Sequence, residues 1–292
     1  MIIKGQPLLP NANNRELRCL IQYPQFTMCS LPGVHFFSNV SLLITHYNRS
    51  RSLERLLQAF KNLQCSFGEI IVSDDGSQPE HLMYMEQLQQ EYNFILITTP
   101  VNKGLGNNIN KGQDAVSLSY TLYVQEDFEP APQFAQTFSD ALSIMEQRND
   151  IDLVRLYAYF SYPYKKPFAQ GFSEMKFHAA PWYTNHLKFY VYSDHPHLRR
   201  SDFLEKFGHY PEGLKGDITE YRMAVSFIRH KGKALFYDDF TKVFYQKNSS
   251  AEPSTMNRSS WRESQHPLFL LIRAVYLKFK LLKWTFDLAL TK

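Results

Sequence analysis

The sequence predicts an α/β fold with a mostly parallel sheet flanked by helices. Four apolar runs of strand length occupy residues 40–45, 69–73, 94–98 and 118–124. Helical patterns separate them, so strands recur about every 25 to 30 residues, as in βαβ units. A polar cluster directly follows each run, and in parallel sheets ligands bind at the carboxyl ends of the strands.

Hydrophobic spacing justifies each element in turn. The run at 40–45 is apolar and partly β-branched, which is typical of a buried strand. Leucines and a phenylalanine at helical spacing predict a helix over 53–63, with Ser50 or Ser52 as its N-cap. Similar patterns predict helices over 82–92 and 107–117. In the second half we expect strands at 152–157 and 190–192 and a helix that opens at Asp217.

Composition and charge exclude several classes of protein. The 292 residues are 44% hydrophobic and 15% aromatic, which is too apolar for a disordered chain. With 12 glycines and 15 prolines, the chain is neither collagenous nor of low complexity. The net charge of +4 is unevenly placed, since residues 258–292 contain seven basic and two acidic residues. A nucleic-acid-binding body would itself be basic, so we expect no nucleic-acid partner.

Cysteines and hydropathy predict a cytoplasmic protein. Cys19, Cys29 and Cys65 are odd in number and lack metal-ligand spacing, which favours free thiols in a reducing compartment. No apolar run is long enough for a secretory signal or a membrane-spanning helix.

Four polar clusters, at 45–49, 74–77, 102–106 and 126–127, are expected to meet at one sheet edge. Each alone would be ordinary turn chemistry. The nearest phosphate-binding motifs fail: Lys111-Gly112 has the reverse order of a Walker A loop, and Gly104-x-Gly106 lacks the third glycine of a dinucleotide fingerprint. The remaining carboxylates suit hydrogen bonds to a ribose or base, or a divalent cation.

These segments resemble those of a family 2 glycosyltransferase of the GT-A type. The resemblance rests on VSLLITHYNR (40–49), EIIVSDDGS (69–77), VNKGLGNNINKGQDA (101–115) and YVQEDFEP (123–130). It implies a GT-A fold, a nucleotide-diphospho-sugar donor and Mg²⁺ or Mn²⁺ as the cation. It also implies an inverting, hexosyltransferase-type enzyme of bacterial polysaccharide or glycolipid synthesis.

The resemblance also implies binding residues. Thr45, Tyr47 and Arg49 would line the nucleotide pocket, and Asp75, with its neighbour Asp74, would accept a hydrogen bond from the base. Residues flanking the nucleotide sugar would be Lys103, Gly104 and Asn108. Glu126-Asp127 stands at the family's Asp-x-Asp metal motif, with Asp127 as the metal ligand.

The metal motif departs from the family pattern at two positions. Gln125 replaces the first carboxylate of Asp-x-Asp, and Gln246 stands where many members have a metal-binding histidine. Three possibilities stay open: fewer protein ligands, replacement of the histidine by a residue such as His266, or a metal-independent enzyme.

The segment 213–222 resembles the family's Gly-Glu-Asp segment and places the general base at Asp217, with Glu220 in reserve. A carboxylate there would take the proton of the acceptor hydroxyl as it attacks the anomeric carbon. Alternatively, Asp217 only caps the helix.

Two further groups allow both a packing and a binding interpretation. The aromatic residues at 157–164 and 182–183 are more often core than a platform for sugar rings. His195 and His197 resemble metal ligands, but Pro196 between them favours a loop without metal.

The tail is predicted to be a basic amphipathic helix over 268–290. Leu271, Val275, Phe279, Leu282 and Phe286 share one face, with Trp284 near its boundary. This pattern favours an in-plane helix at the inner face of the cell membrane, although a helix packed on the body remains the alternative.

We therefore expect four parts: an extension (1–39), a nucleotide-sugar-binding half (40–130), an acceptor-side catalytic half (131–250) and the helical tail (251–292). The expected acceptor is a carbohydrate or a lipid-linked sugar. Two other functions stay open, a nucleotidyltransferase and a non-catalytic carbohydrate-binding or scaffold protein with the same fold.

Overall fold

The computed structural model describes residues 33–180, 182–248, 252 and 266–290. Within them, nine strands form one sheet with the order β3-β2-β1-β4-β9-β6-β10-β8-β7, and β5 pairs with β11 in a second, two-stranded sheet. The strands are β1 (His35–His46), β2 (Cys65–Asp74), β3 (Ile95–Ile97), β4 (Tyr120–Gln125), β5 (Phe128–Pro130), β6 (Leu153–Arg155), β7 (Lys165–Ala169), β8 (Phe172–Met175), β9 (His197–Arg200), β10 (Ala234–Tyr237) and β11 (Phe244–Gln246).

The first four strands of the large sheet run parallel, as the sequence predicts. Thr45 of β1 pairs with Ser73 of β2 on one side and with Gln125 of β4 on the other. The carboxyl ends of these strands therefore lie at one edge. The β1 segment 40–46 is buried throughout, because helices cover both faces of the sheet.

The helices are α1 (Ser50–Asn62), α2 (Pro79–Tyr92), α3 (Leu105–Asp114), α4 (Phe134–Gln147), α5 (Phe203–Phe207), α6 (Gly216–Arg229) and α7 (Pro267–Leu290). The three helices expected in the first half are confirmed. In α1 the apolar positions Leu53, Leu56, Leu57 and Phe60 are all buried, which is the face predicted from their spacing.

The N-terminus of α1 differs from the prediction. Arg49 is the N-cap residue, and Ser50 and Ser52 lie inside the helix. The carboxylate of Glu252 accepts hydrogen bonds from the backbone N–H groups of Arg51 and Ser52, at 2.9 and 2.8 Å. A residue about 200 positions away thus satisfies the helix end, and hydrophobic spacing gives no signal for such a contact.

Two predicted elements differ from the structure, one in its start and one in its type. β1 starts at His35, inside the stretch assigned to the extension, because His35–Phe37 pairs with the start of β2. The strand expected at 190–192 is instead a 3-10 helix, His186–Val191, which begins with the side chain of Asn185 accepting from the N–H of Leu187. The strand of this region is β9, antiparallel to both β4 and β6.

The remaining expectations concern cysteines and membrane spans. Cys65 is a buried free thiol, and burial raises its pKa to about 11, whereas Cys19 and Cys29 lie outside the described residues. In the part of the chain that the structure describes, no helix combines the length and apolar character needed to cross a bilayer.

Candidate functional site

The candidate site lies where β1, β2 and β4 end. Backbone hydrogen bonds fix the two loops that leave this edge: the N–H of Asp75 donates to the carbonyl of His46 (3.0 Å), and the N–H of Glu126 donates to that of Thr45 (3.2 Å). The Asp74–Asp75 loop and the Glu126–Asp127 loop therefore flank the end of β1 on opposite sides.

Asp74 holds its own loop together. The His46 ring accepts at Nε2 from the N–H of Arg49 (3.1 Å), so Nδ1 carries the proton and donates to Asp74 at 2.8 Å. Three more hydrogen bonds come from the Gly76 N–H, the Ser77 N–H and the Ser77 hydroxyl. Burial alone would raise the pKa of Asp74, but the bonds from His46 and Ser77 outweigh it and lower the pKa. Four bonds occupy the carboxylate fully.

Asp75 keeps part of its capacity to accept hydrogen bonds. Its two oxygens accept from the backbone N–H groups of Lys103 (2.8 Å) and Gly104 (2.9 Å), one bond each. Burial raises the pKa of this carboxyl although both N–H groups oppose the shift. Each oxygen retains a lone pair, so Asp75 can accept a further bond from a ligand.

Gly104 enables this contact through its backbone conformation. Gly104 has φ +86° and ψ 169°, backbone angles that residues other than glycine rarely adopt. Helix α3 begins at the next residue. Lys103 is exposed, Gly104 is half-buried and Asp75 is buried beneath them, so these three residues form one corner of the edge.

Three other predicted residues lie beneath or beside this corner. The Thr45 hydroxyl is buried against the Tyr123 hydroxyl at 3.0 Å. Asn108 is buried as well, donating to the carbonyl of His46 (3.2 Å) and accepting from Ser73 (2.8 Å). Tyr47 is half-buried in the loop after β1. Thr45 and Asn108 thus support the edge from inside.

On the other side of β1, Arg49 faces both acidic residues of the Glu126–Asp127 loop. Its Nη1 lies 3.1 Å from Oε1 of Glu126 and 3.4 Å from Oδ2 of Asp127. Burial raises the pKa of Glu126 to about 8; the Asp127 charge adds to this shift and Arg49 opposes it. The buried guanidinium of Arg49 therefore compensates the charge of this acidic pair.

Gln246 closes the same cluster with a neutral amide. Its Nε2 donates to Oδ2 of Asp127 at 2.8 Å, and its Oε1 accepts from the Tyr159 hydroxyl at 2.8 Å. His266 lies at the start of α7 against Phe269. Among the described residues, no group of three or more His, Cys, Asp and Glu side chains could hold a metal ion. The groups that contact the Asp127 carboxylate are thus a guanidinium and an amide N–H₂, and neither is a metal ligand.

A second acidic pair lies one strand further along the sheet. The Asp194 N–H donates to Oε1 of Glu220 (3.4 Å), and Gln125 donates to Oδ2 of Asp194 (3.4 Å). Burial, reinforced by the Glu220 charge, raises the pKa of Asp194 well above its ordinary value. Nearby, burial lowers the pKa of Arg155 to about 10. The contacts of Asp194 join residues 26 and 69 positions apart, so no local pattern indicates its environment.

Asp217 lies in the first turn of α6, as predicted, and its side chain is exposed. An ideal side chain on Gly106 would meet the carbonyl of Pro211, and the carbonyl of Leu214 is close to Gly104. The start of α6 therefore lies beside the corner formed by Asp75 and Gly104. Glu220, one turn later, faces Asp194 instead.

The aromatic and histidine groups divide between core and surface. Tyr162 is buried, whereas Tyr159, Trp182 and Tyr183 are exposed by 53%, 79% and 89%. His195 packs against Tyr159 with ring centroids 4.5 Å apart, and burial lowers its pKa to about 3. His195 is thus a buried neutral ring packed on an aromatic side chain, while the exposed aromatics are accessible to a sugar.

Sequence reasoning missed Glu252, which holds Arg49, and missed the contact of Tyr159 with Gln246 although it named Tyr159 among the aromatic residues. Arg49 donates through Nη2 to the carbonyl of Glu252 (3.2 Å) and to the side chain of Asn248. Each contact joins residues more than 80 positions apart, so no local pattern could have indicated it.

Comparisons with known proteins agree with this architecture. A cholesterol galactosyltransferase of Borreliella burgdorferi is 28% identical over 123 residues, 41% of this chain and 33% of that protein. A poly-beta-1,6-N-acetyl-D-glucosamine synthase of Staphylococcus aureus is 27% identical over 114 residues, 39% of this chain and 26% of that protein. The chain thus spans a third or less of the length of these curated relatives.

Among solved structures, S. aureus TarS 1-349 in complex with UDP-GlcNAc superposes with a TM-score of 0.53. It is 17% identical, and the match covers 76% of this chain and 62% of TarS 1-349. At this identity the likeness concerns the fold, which is that of GT-A glycosyltransferases. The sequence profile of glycosyl transferase family 2 matches residues 41–208, more than half of the chain. The chain belongs to glycosyl transferase family 2.

Proposed function

We propose that this protein is an inverting glycosyltransferase that moves a sugar from a nucleotide-diphosphate donor to an acceptor hydroxyl in bacterial polysaccharide or glycolipid synthesis. The observation that carries the proposal is Asp75, held at the sheet edge by the N–H groups of Lys103 and Gly104 with lone pairs left for a base or ribose. Family membership supports the donor class.

The reaction requires a leaving group that accepts an electron pair and a base that accepts a proton. The bond between the anomeric carbon and the β-phosphate oxygen breaks, and its electron pair stays on the phosphate. The acceptor oxygen bonds to the opposite face of that carbon and loses its proton to a carboxylate. We assign this base to Asp217, because its side chain is exposed and α6, in whose first turn it lies, begins close to Gly104. Glu220 is the alternative, although its carboxylate accepts from the N–H of Asp194.

Thermal unfolding with nucleoside diphosphates tests the donor assignment. UDP or GDP should raise the unfolding temperature, because a ligand that binds only the folded state stabilises it. Asp75→Ala should lose this shift. The matched control is Asp150→Asn, which removes an exposed carboxylate that pairs with Arg148. A chain stabilised by no nucleoside diphosphate would contradict the proposal.

Donor turnover separates the base candidates and the other functions. Asp217→Asn should slow sugar transfer by about 10² to 10⁴ while nucleotide binding is kept, and Glu220→Gln should not. The reverse result would assign the base to Glu220. Release of pyrophosphate would indicate a nucleotidyltransferase, and sugar binding without turnover would indicate a carbohydrate-binding protein.

We further propose that α7 docks on an anionic membrane surface from the cytoplasmic side, so that the acceptor is lipid-linked. One side of α7 packs on the body: Trp284 stacks on Tyr221 of α6 with ring centroids 4.4 Å apart, and Leu281 is buried. Trp284 therefore packs on the body and does not lie at the boundary of a membrane-facing surface. We propose that α7 packs on the body with this side and binds the membrane with the opposite side, which remains exposed.

That opposite side carries an apolar stripe whose members are each more than half exposed: Leu271, Val275, Phe279, Leu282, Phe286 and Leu290. At 100° per residue, Lys278 and Lys283 lie at its two margins. An apolar band flanked by lysines is complementary to a bilayer with anionic head groups. Because Trp284 stacks on α6, the helix that carries Asp217, docking would bring the base candidate close to lipid-linked acceptors.

Vesicle flotation tests the docking. The protein should float with vesicles of phosphatidylglycerol and phosphatidylcholine, and the double variant Phe279→Ser/Phe286→Ser should bind about tenfold less. The control Met83→Ser/Val101→Ser alters equally exposed side chains elsewhere. Equal flotation of both variants would contradict the proposal, as would a dimer in solution that Phe279→Ser/Phe286→Ser dissociates.

A further inference from the structure

The expected cation would lie at Glu126 and Asp127, yet other side chains of the protein already contact both carboxyl groups there. Arg49 lies within 3.1 Å of Glu126 and 3.4 Å of Asp127, and Gln246 donates to Asp127. A divalent cation placed among these groups would face a guanidinium and an amide N–H₂. Both groups disfavour a cation. The positive charge on this side of β1 is therefore the guanidinium of Arg49.

Arg49 is held as a permanent part of the site. Its side chain is almost completely buried, and its Nη2 donates to the Glu252 carbonyl and the Asn248 side chain. Its Nε is buried without a hydrogen-bond partner among the described residues. A buried N–H that lacks a partner costs free energy unless a ligand satisfies it. Arg49 thus has a donor to spare at the edge where the diphosphate of a nucleotide sugar would lie.

Gln246 decides which chemistry is possible at Asp127. The Tyr159 hydroxyl donates to its Oε1, so the amide nitrogen points at Asp127 and acts as a donor. A histidine there would instead offer a ring nitrogen as a further ligand beside the carboxyl groups of Glu126 and Asp127, since imidazole and carboxylate both bind divalent metal ions.

We propose that Arg49 takes the place of the divalent cation, so that this chain binds a nucleoside diphosphate through its guanidinium and without metal. The inference rests on the proposed function. As the glycosyl bond breaks, the electron pair left on the β-phosphate oxygen is stabilised by the guanidinium charge and by a charge-assisted hydrogen bond from Nε, the donor that has no partner among the described residues.

Calorimetric titration with UDP and GDP, in EDTA and in Mn²⁺, tests this directly. Wild-type affinity should differ by less than about twofold between the two conditions. Arg49→Gln should weaken binding about tenfold or more in EDTA, as expected when a charged hydrogen bond is removed. The control Arg51→Gln removes an exposed arginine from the same helix and should leave affinity unchanged.

A second variant keeps the inference testable if Arg49→Gln does not fold. Gln246→His should acquire Mn²⁺ binding, measured by calorimetry without nucleotide, whereas the wild type should show none. Binding of UDP or GDP only in Mn²⁺, or Mn²⁺ binding by the wild type alone, would overturn the inference and leave the proposed function standing. If neither nucleotide bound in either condition, the proposed function would fail too.

Discussion

The two loops that flank β1 both present a pair of adjacent carboxylates, but they hold them in different ways. In the first pair, Asp75 accepts only from backbone N–H groups, those of Lys103 and Gly104. Its neighbour Asp74 also accepts from the side chains of His46 and Ser77. On the other side, Glu126 and Asp127 depend on the side chains of Arg49 and Gln246. The first arrangement follows from the course of the chain, and the second from two particular residues.

This difference has consequences for specificity. A carboxylate held by backbone N–H groups keeps its geometry when neighbouring side chains change, since every residue except proline supplies an N–H. A carboxylate held by side chains can exchange metal for arginine through one or two substitutions. We therefore expect the geometry of the Asp75 carboxylate to tolerate changes of the side chains around it, except at Gly104, whose backbone conformation is special. The geometry of Asp127 should be sensitive to such changes.

The largest effect should come from Asp74, the carboxylate that holds its loop. Asp74→Ala leaves the His46 ring N–H and the N–H groups of Gly76 and Ser77 without an acceptor, and should cost about 3 to 5 kcal/mol. Asp75→Ala, the matched control one residue away, should cost less than half as much. Urea denaturation measures both, and equal losses would show that Asp75 is also structural.

How far the sequence predicts the molecule depends on the distance between contacting residues. Strands and helices of the first half follow from local spacing, so β1 to β4 and α1 to α3 are predicted close to their observed positions, apart from the earlier starts of β1 and β2, which pair with each other. The strand β9 was missed because its partners β4 and β6 come from remote parts of the chain. The sequence also favoured a strand at 190–192, where tertiary contacts stabilise a 3-10 helix.

The site shows the same limit. Strand ends identify Asp74, Asp75, Glu126 and Asp127 as neighbours, since parallel strands share an edge. Local patterns cannot show that Asp74 is fully bonded while Asp75 is not, because that depends on the path of the loop through Gly76 and Ser77. The roles of Asp75 in nucleotide binding and of Asp217 as the general base remain predictions that the variants above test.

The next effect concerns Glu126 and the pH. Burial raises its pKa to about 8, so between pH 4.5 and pH 8 the unfolded chain has released this proton while the folded chain retains it. The free energy of unfolding contributed by Glu126 therefore falls as the pH rises through this window, by about 1.4 kcal/mol for each unit by which its folded and unfolded pKa values differ.

Comparison of the wild type with Glu126→Gln isolates this contribution. The amide does not titrate, so between pH 5 and pH 8.5 the variant should become more stable relative to the wild type. His195, whose pKa burial lowers to about 3, acts in the opposite sense below pH 6.5 and is present in both proteins. A difference independent of pH would mean that Arg49 keeps Glu126 ionised.

The smallest effect should come from Gly104, on the backbone-held side. With φ +86° and ψ 169°, Gly104→Ala imposes a conformation unfavourable to alanine and should cost about 1 to 2 kcal/mol. The nearest atom to the added methyl is the Leu214 carbonyl oxygen at 3.7 Å, so the cost is conformational and not a clash. Gly216→Ala, within the first turn of α6, should be neutral or stabilising.

Because the Gly104 N–H donates to Asp75, any relief of this strain must move that donor. Gly104→Ala should therefore weaken nucleoside diphosphate binding by more than its effect on stability, and equally in EDTA and in Mn²⁺. If the loss of affinity disappeared in Mn²⁺, the two sides of β1 would be coupled through a cation, and the separation between backbone-held and side-chain-held charge would not describe this site.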